Sequence, residues 1–97
     1  MIKIIGGKFK KTNLLTPKNN VRPTSAMKRE AIFSIIENYA NKEKINLYYQ
    51  KSFLDIFAGT GAMGLEAISR GADYCYFFEN NKEAIEILKK NCNKVSK

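Results

Sequence analysis

The sequence predicts an α/β fold, the nucleoside-binding half of a Rossmann-like parallel sheet, and three observations predict it. First, Phe53-Leu54-Asp55-Ile56-Phe57 reads as a short buried strand that runs into Gly59-x-Gly61-x-x-Gly64 and then straight into a helical stretch. Second, another apolar strand, Tyr74–Phe78, follows the helix. Third, Glu79 stands at the end of that strand, twenty positions after Gly59. Glycines are needed in such a loop because the backbone turns tightly and must approach a ligand with no side chain in the way. The later acid sits where it can accept both hydrogen bonds of a ribose diol. The plainer alternative is that the glycines only let helix and strand pack closely and that Asp55 merely caps the loop. A glycine pattern alone says little, but one between strand and helix, with the acid at this spacing, is specific.

The identity of the nucleoside cofactor follows from Asp55. A dinucleotide offers its pyrophosphate to the helix N-terminus, where an acid is unwelcome. Asp55 lies four residues before the first glycine, at the tip of the strand. It suits a ligand carrying ammonium and sulfonium groups, as S-adenosylmethionine does and NAD does not.

The elements come in order. Ile2–Ile5 alternates around Lys3 and meets Gly6-Gly7, a strand breaker; Phe9–Leu15 reads as the returning strand of a small basic hairpin. Thr16–Asn20 is a loop, and Arg22-Pro23-Thr24-Ser25 begins a helix with Thr24 or Ser25 as N-cap. Ala26, Met27, Ile32, Phe33, Ile35, Ile36 and Tyr39 form its apolar stripe, with Lys28, Arg29 and Glu37 expected on the outer side. Asn41–Lys51 is a polar connection containing Tyr48 and Tyr49. The helix after the glycine loop spans about Ala62–Arg70 and stops at Gly71. Ala84, Ile85, Leu88, Cys92 and Val95 mark a last helix.

Length and composition set the outer limits. Ninety-seven residues make at most one domain, and a marginal one. No apolar run approaches the ~20 residues of a membrane span, and the first residues do not resemble a signal peptide, which predicts a cytoplasmic chain. Cys75 and Cys92, with no histidine in the chain, make no ordinary zinc site and read as core thiols. The net charge of +8 is uneven: residues 1–51 carry eleven basic and three acidic side chains, whereas residues 52–97 carry six of each. No acid precedes Glu30. A basic segment beside a neutral cofactor module points to a polyanion partner such as RNA.

Four motifs in one order carry a resemblance: Ile4-Ile5-Gly6-Gly7-Lys8-Phe9-Lys10, Arg22-Pro23-Thr24, Arg29-Glu30-Ala31-Ile32-Phe33, and Asp55 through Ala67. Together they resemble the RsmD family of bacterial S-adenosylmethionine-dependent methyltransferases, which modify guanine N2 in small-subunit ribosomal RNA. The likeness covers Ile2 to about Asn91. Lys11 departs from it, standing where a glycine is expected in the hairpin turn. The resemblance implies that Asp55, Phe57, Ala58, Gly59, Thr60, Gly61 and Gly64 surround the cofactor. It implies that Glu79 binds the ribose with Asn80 beside the adenine, and that Arg22 and Thr24 sit near the cofactor mouth. Lys8, Lys10, Lys11, Arg22, Lys28 and Arg29 are then the expected RNA contacts, with ribosomal RNA or the small subunit as partner.

Enzymes that methylate such amines resemble one another in an Asn/Asp-Pro-Pro-aromatic loop that polarises the amine and stacks on the extruded base. With only Pro17 and Pro23, the sequence contains no such loop and no catalytic residue is assigned. The expected organisation is a basic hairpin arm over 1–21 and the N-terminal part of a methyltransferase domain over 22–97, with the catalytic half absent. A sheet of that kind leaves one edge of the first strand bare, so weak stability, self-association or a second polypeptide completing the sheet are expected. Two other classes remain open: a non-catalytic RNA-binding module, and a fragment of a nucleotide-binding oxidoreductase.

Overall fold

The computed structural model describes residues 2–17 and 25–95. Two short strands, β1 (Ile2–Lys3) and β2 (Asn13–Leu14), pair antiparallel with Ile2 opposite Leu14. Helix α1 (Ala26–Glu43) follows, then β3 (Ser52–Asp55), α2 (Ala62–Ser69), β4 (Tyr74–Phe77) and α3 (Lys82–Val95). β3 and β4 pair in parallel from Ser52 opposite Tyr74 to Asp55 opposite Phe77, so the chain between them is a strand–helix–strand unit. α2 packs on both strands and on α3. Among the described residues no helix is long and apolar enough to cross a membrane.

The expected returning strand Phe9–Leu15 is mostly turn. Gly7 takes a left-handed conformation (φ 81°), as does Lys11 (φ 74°), the position where a glycine was expected. Lys10 N–H donates to Gly7 O, Thr12 N–H to Phe9 O and Lys11 N–H to Ile4 O. These local bonds consume the segment, leaving only Asn13–Leu14 for the ladder.

The apolar face of this hairpin is not free. Ile2, Ile4 and Leu14 form one core with Ala62 and Leu65 of α2 and Val95 of α3. Glu66, fully buried on α2, accepts the N–H of Ile5 (3.0 Å) and of Gly6 (2.9 Å). Ser69 accepts from Phe9 N–H (2.9 Å) and donates to Gly6 O (2.6 Å). On the other side Asn91 of α3 holds both polar groups of Leu15, accepting from its N–H at 2.7 Å and donating to its carbonyl at 3.0 Å. The hairpin is thus bound through its backbone, which no hydropathy pattern records.

α1 turns differently from the sequence expectation. Ser25 is its N-cap, accepting from Lys28 N–H at 3.1 Å. The buried positions are Arg29, Phe33 and Ala40, whereas Met27, Ile35 and Tyr39 are exposed. The cause is Glu66. Its buried charge takes Arg29 Nε at 3.6 Å and Arg70 Nε at 2.9 Å, and Arg29 also donates to Lys3 O. A buried carboxylate without cationic partners is costly, so the helix presents Arg29 inward. Glu37, also expected outside, is half-buried against Arg70 (2.9 Å) and the Tyr48 hydroxyl. The far side of the sheet is bare: Leu54, Ile56, Tyr74, Tyr76 and Phe78 are exposed.

Candidate functional site

The site is built at the carboxyl end of β3. Past Asp55 the chain leaves the ladder, and Phe78 N–H donates to Asp55 O (2.9 Å) while Ala58 N–H donates to Phe78 O (3.1 Å). These bonds stitch the loop to the end of β4. Gly61 N–H donates to Ala58 O (2.8 Å), closing the turn into α2. Asn91 reaches up from α3 and donates to Thr60 O at 2.9 Å.

The three glycines serve different needs. A Cβ on Gly61 (φ 89°) would lie 2.4 Å from Leu88 Cδ1, so this glycine admits α3. A Cβ on Gly64 would lie 2.4 Å from Phe77 Cε1 and 2.5 Å from Cys75 Sγ, so this one admits β4. Gly64 was expected at the cofactor; its Cα side is pressed against β4, while its N–H holds Asp55 at the loop. Gly59 is different. It is left-handed (φ 54°), and a Cβ there would meet nothing within 4 Å. Nothing in the protein's own packing explains that glycine beyond its backbone angle; the space beside it is open to a ligand.

Two carboxylates close on this loop. Glu79 Oε1 accepts from Gly59 N–H at 2.8 Å and Oε2 from Asn81 N–H at 3.0 Å. These amides, Asn81 first and Gly59 second, hold its carboxyl below the usual range. An ionised carboxylate has about four acceptor positions, so acceptor capacity is left over. Asp55 Oδ2 accepts from Gly64 N–H at 3.2 Å, satisfying one of the amides left open in the first turn of α2. Burial pushes Asp55 above its ordinary value; the Gly64 amide opposes the rise and the charge of Glu79 adds to it. Asp55 therefore feels the charge of Glu79, a field that a cation beside them would relieve.

The remaining predicted residues divide plainly. Ala58 and Thr60 are buried in the loop, with Thr60 4% exposed; Phe57, 91% exposed, and Asn80 stand in solvent. Arg22 and Thr24 lie outside the described residues. Lys8, Lys10, Lys11 and Lys28 are exposed. Arg29 is not, at 0% exposure and paired with Glu66, so the expectation that it touches RNA is corrected: it is a structural cation. Cys75 and Cys92 are half-buried, and burial pushes the Cys75 thiol up to about 12. Sequence reasoning missed Glu66, Ser69, Arg70 and Asn91. The one available signal was a single acid within the otherwise apolar run Ala62–Ile68.

The model of the family described as Conserved hypothetical protein 95 matches residues 2–97. Ribosomal RNA small subunit methyltransferase D of Buchnera aphidicola subsp. Baizongia pistaciae is 41% identical over 96 residues, covering 98% of this chain and 45% of that protein. The protein of the same name from Escherichia coli strain K12 is 34% identical, covering 93% of this chain and 42% of its own length. The chain thus spans less than half the length of these curated relatives. Among solved structures, a hypothetical protein of Thermus thermophilus superposes with a TM-score of 0.80 at 33% identity, covering 98% of this chain and 50% of that one. A family match over the whole sequence, with the fold shared at that identity, means that the chain belongs to the Conserved hypothetical protein 95 family, which is the RsmD family its motifs resemble.

Proposed function

We propose that this chain supplies the cofactor-binding part of an S-adenosylmethionine-dependent methyltransferase that acts on guanine N2 of small-subunit ribosomal RNA. The observation that carries the reading is the convergence of Asp55 and Glu79 on one glycine loop whose Gly59 faces open space. The fit is chemical. Paired acids suit a ligand that is cationic at one end and carries a ribose diol at the other, and they oppose a pyrophosphate.

In this reading Glu79 accepts the ribose hydroxyls with the capacity that Gly59 and Asn81 leave, and Asp55 faces the cationic end. Gly59 gives the ligand room to approach. Phe57 and Asn80 flank it, Ala58, Thr60 and Gly61 shape the loop, and the family resemblance implies Arg22 and Thr24, outside the described residues, near the mouth. The cofactor brings a sulfonium-activated methyl group. Residues 1–21 form the basic arm and 22–97 the N-terminal part of the methyltransferase domain, with Lys8, Lys10, Lys11 and Lys28 meeting RNA phosphates, which fix register rather than read sequence.

Calorimetric titration with S-adenosylhomocysteine, with NAD as control, tests this. Saturable binding that Asp55→Ala or Glu79→Ala weakens by about tenfold or more is expected, about 1.4 kcal/mol at least. Heat with NAD alone would replace the reading with an oxidoreductase one.

A further inference from the structure

The connection between α1 and β3 has no part in the cofactor site, yet it is held by several bonds of its own. Asn46 Oδ1 accepts from Tyr49 N–H at 3.0 Å, and Asn46 Nδ2 donates back to Tyr49 O at 2.6 Å. Lys44 ends α1 in a left-handed conformation (φ 59°), and Lys51 N–H donates to Tyr48 O at 3.0 Å. This clamped loop leaves the Tyr49 ring 68% exposed on the wall of a cleft of about 490 Å³ that Asn41, Asn46 and Arg70 also line. Lys42 in the last turn of α1, Lys44 at its C-cap and Lys51 at the end of the connection are exposed.

The loop does not stand alone. A Cβ on Gly71 would lie 3.4 Å from Tyr48 Cβ, so the loop abuts the residue after the C-cap of α2. The backbone at Gly7 presses on the carbonyl of Ser69, and Gly6 lies beside the Arg70 guanidinium. Consecutive residues Ser69, Arg70 and Gly71 therefore bring the basic hairpin turn and the Tyr49 loop to one pole of the molecule. Of the nearby acids, Glu30, Glu37 and Glu66 are engaged by Arg70, and Glu43 and Asp73 stand exposed beside the lysines of the connection. The glycine loop lies at the other end of α2, which spans 8 residues, roughly 12 Å at 1.5 Å per residue.

We propose that this pole is a second RNA contact: Lys42, Lys44 and Lys51 meet phosphates next to those held by Lys8, Lys10 and Lys11, and Tyr49 stacks on an unpaired base in the cleft. It deepens the ribosomal RNA reading and rests on it for the identity of the polyanion. An exposed aromatic side chain on a loop whose backbone is clamped, with lysines on the same connection, is what single-stranded RNA engages, since every base has a face to stack. Because α2 separates the two ends, this contact holds nucleotides flanking the reacting one and leaves the cofactor loop free.

Fluorescence anisotropy with a labelled single-stranded RNA, measured over a range of salt on the 97-residue chain, decides it. Lys42→Gln/Lys44→Gln/Lys51→Gln should lower the slope of log affinity against log salt by about 2, at roughly 0.7 per phosphate contact. Tyr49→Ala should weaken binding about tenfold with the slope unchanged. Thermal unfolding midpoints matching the parent protein exclude misfolding as the cause. An unchanged slope and affinity in the triple variant overturns the second contact, even where Lys8→Gln/Lys10→Gln/Lys11→Gln loses binding; no binding by the parent chain overturns it as well. Heat with S-adenosylhomocysteine reports separately on the cofactor reading.

Discussion

Glu66 and Glu79 each take two backbone amides, but their surroundings make them opposites. Glu66 is sealed: it holds Ile5 and Gly6 and is neutralised by Arg29 and Arg70, with no exposed surface. Glu79 holds Gly59 and Asn81 and sits at the rim of the loop, its negative charge felt by Asp55 and, among the described residues, met by no ion pair. The comparison teaches that an acid bound to amides is structural when its charge is already answered and a candidate ligand group when it is not.

Glu66→Ala should break the comparison most visibly. It leaves Arg29 buried without its counter-charge and two amides without acceptors, a loss of about 3–5 kcal/mol that urea unfolding would register as near-complete loss of the fold. Glu66→Gln, which still offers an acceptor oxygen, should lose less. If Glu66→Ala unfolds at the parent's urea midpoint, the hub has been misread.

The glycines give the next contrast. Gly64→Ala drives a methyl group into Phe77 and Cys75 and should cost about 1–3 kcal/mol of stability. Gly59→Ala meets nothing and carries only the left-handed strain, about 1 kcal/mol, but it should weaken S-adenosylhomocysteine binding more than its stability cost. Equal ratios of binding loss to stability loss in the two variants would contradict a ligand beside Gly59.

Asp55→Asn should produce the smallest change, and one of unusual sign. Burial raises the Asp55 carboxyl above its unfolded value, so the folded state holds the proton more tightly. Stability is then lost as pH rises from the ordinary carboxyl value to the raised one, and the whole loss is present above the raised value. Asn removes that loss while keeping an acceptor for Gly64 N–H. The ligand-free protein should melt slightly higher at pH 7, with no gain below the ordinary carboxyl range, and should bind the cofactor less well. A lower melting temperature at pH 7 would show that Asp55 serves the fold and not the ligand.

The sequence made the glycine loop legible because its chemistry is local: strand, glycines and acid lie within one short stretch, and Gly71 and Ser25 mark helix ends through their own backbone and side-chain preferences. The rotation of α1 was not legible. Arg29 and Phe33 are one turn apart and share a face, yet a charge is read as outward unless its partner is known, and Glu66 lies far along the chain. The hairpin turn was hidden for a related reason. Phe9–Thr12 has strand-like residues, and only the left-handed Gly7 and Lys11 show that they form turns. The crowding of Gly64 against β4 was not legible either, because spacing cannot say on which side of the backbone it falls.

The bonds from Glu66 to Ile5 and Gly6 also order events in time. Their partners are separated by 61 and 60 positions, so Ile5 and Gly6 cannot be fixed until a residue made much later has emerged from the ribosome. A two-residue ladder offers little independent stability in the interval. Chain closure over that length must precede any reward from the contact. The arm, made before the helix that holds it, is therefore among the last parts to be set, and the amide hydrogens of Ile5 and Gly6 report on the completed fold rather than on the hairpin that carries them.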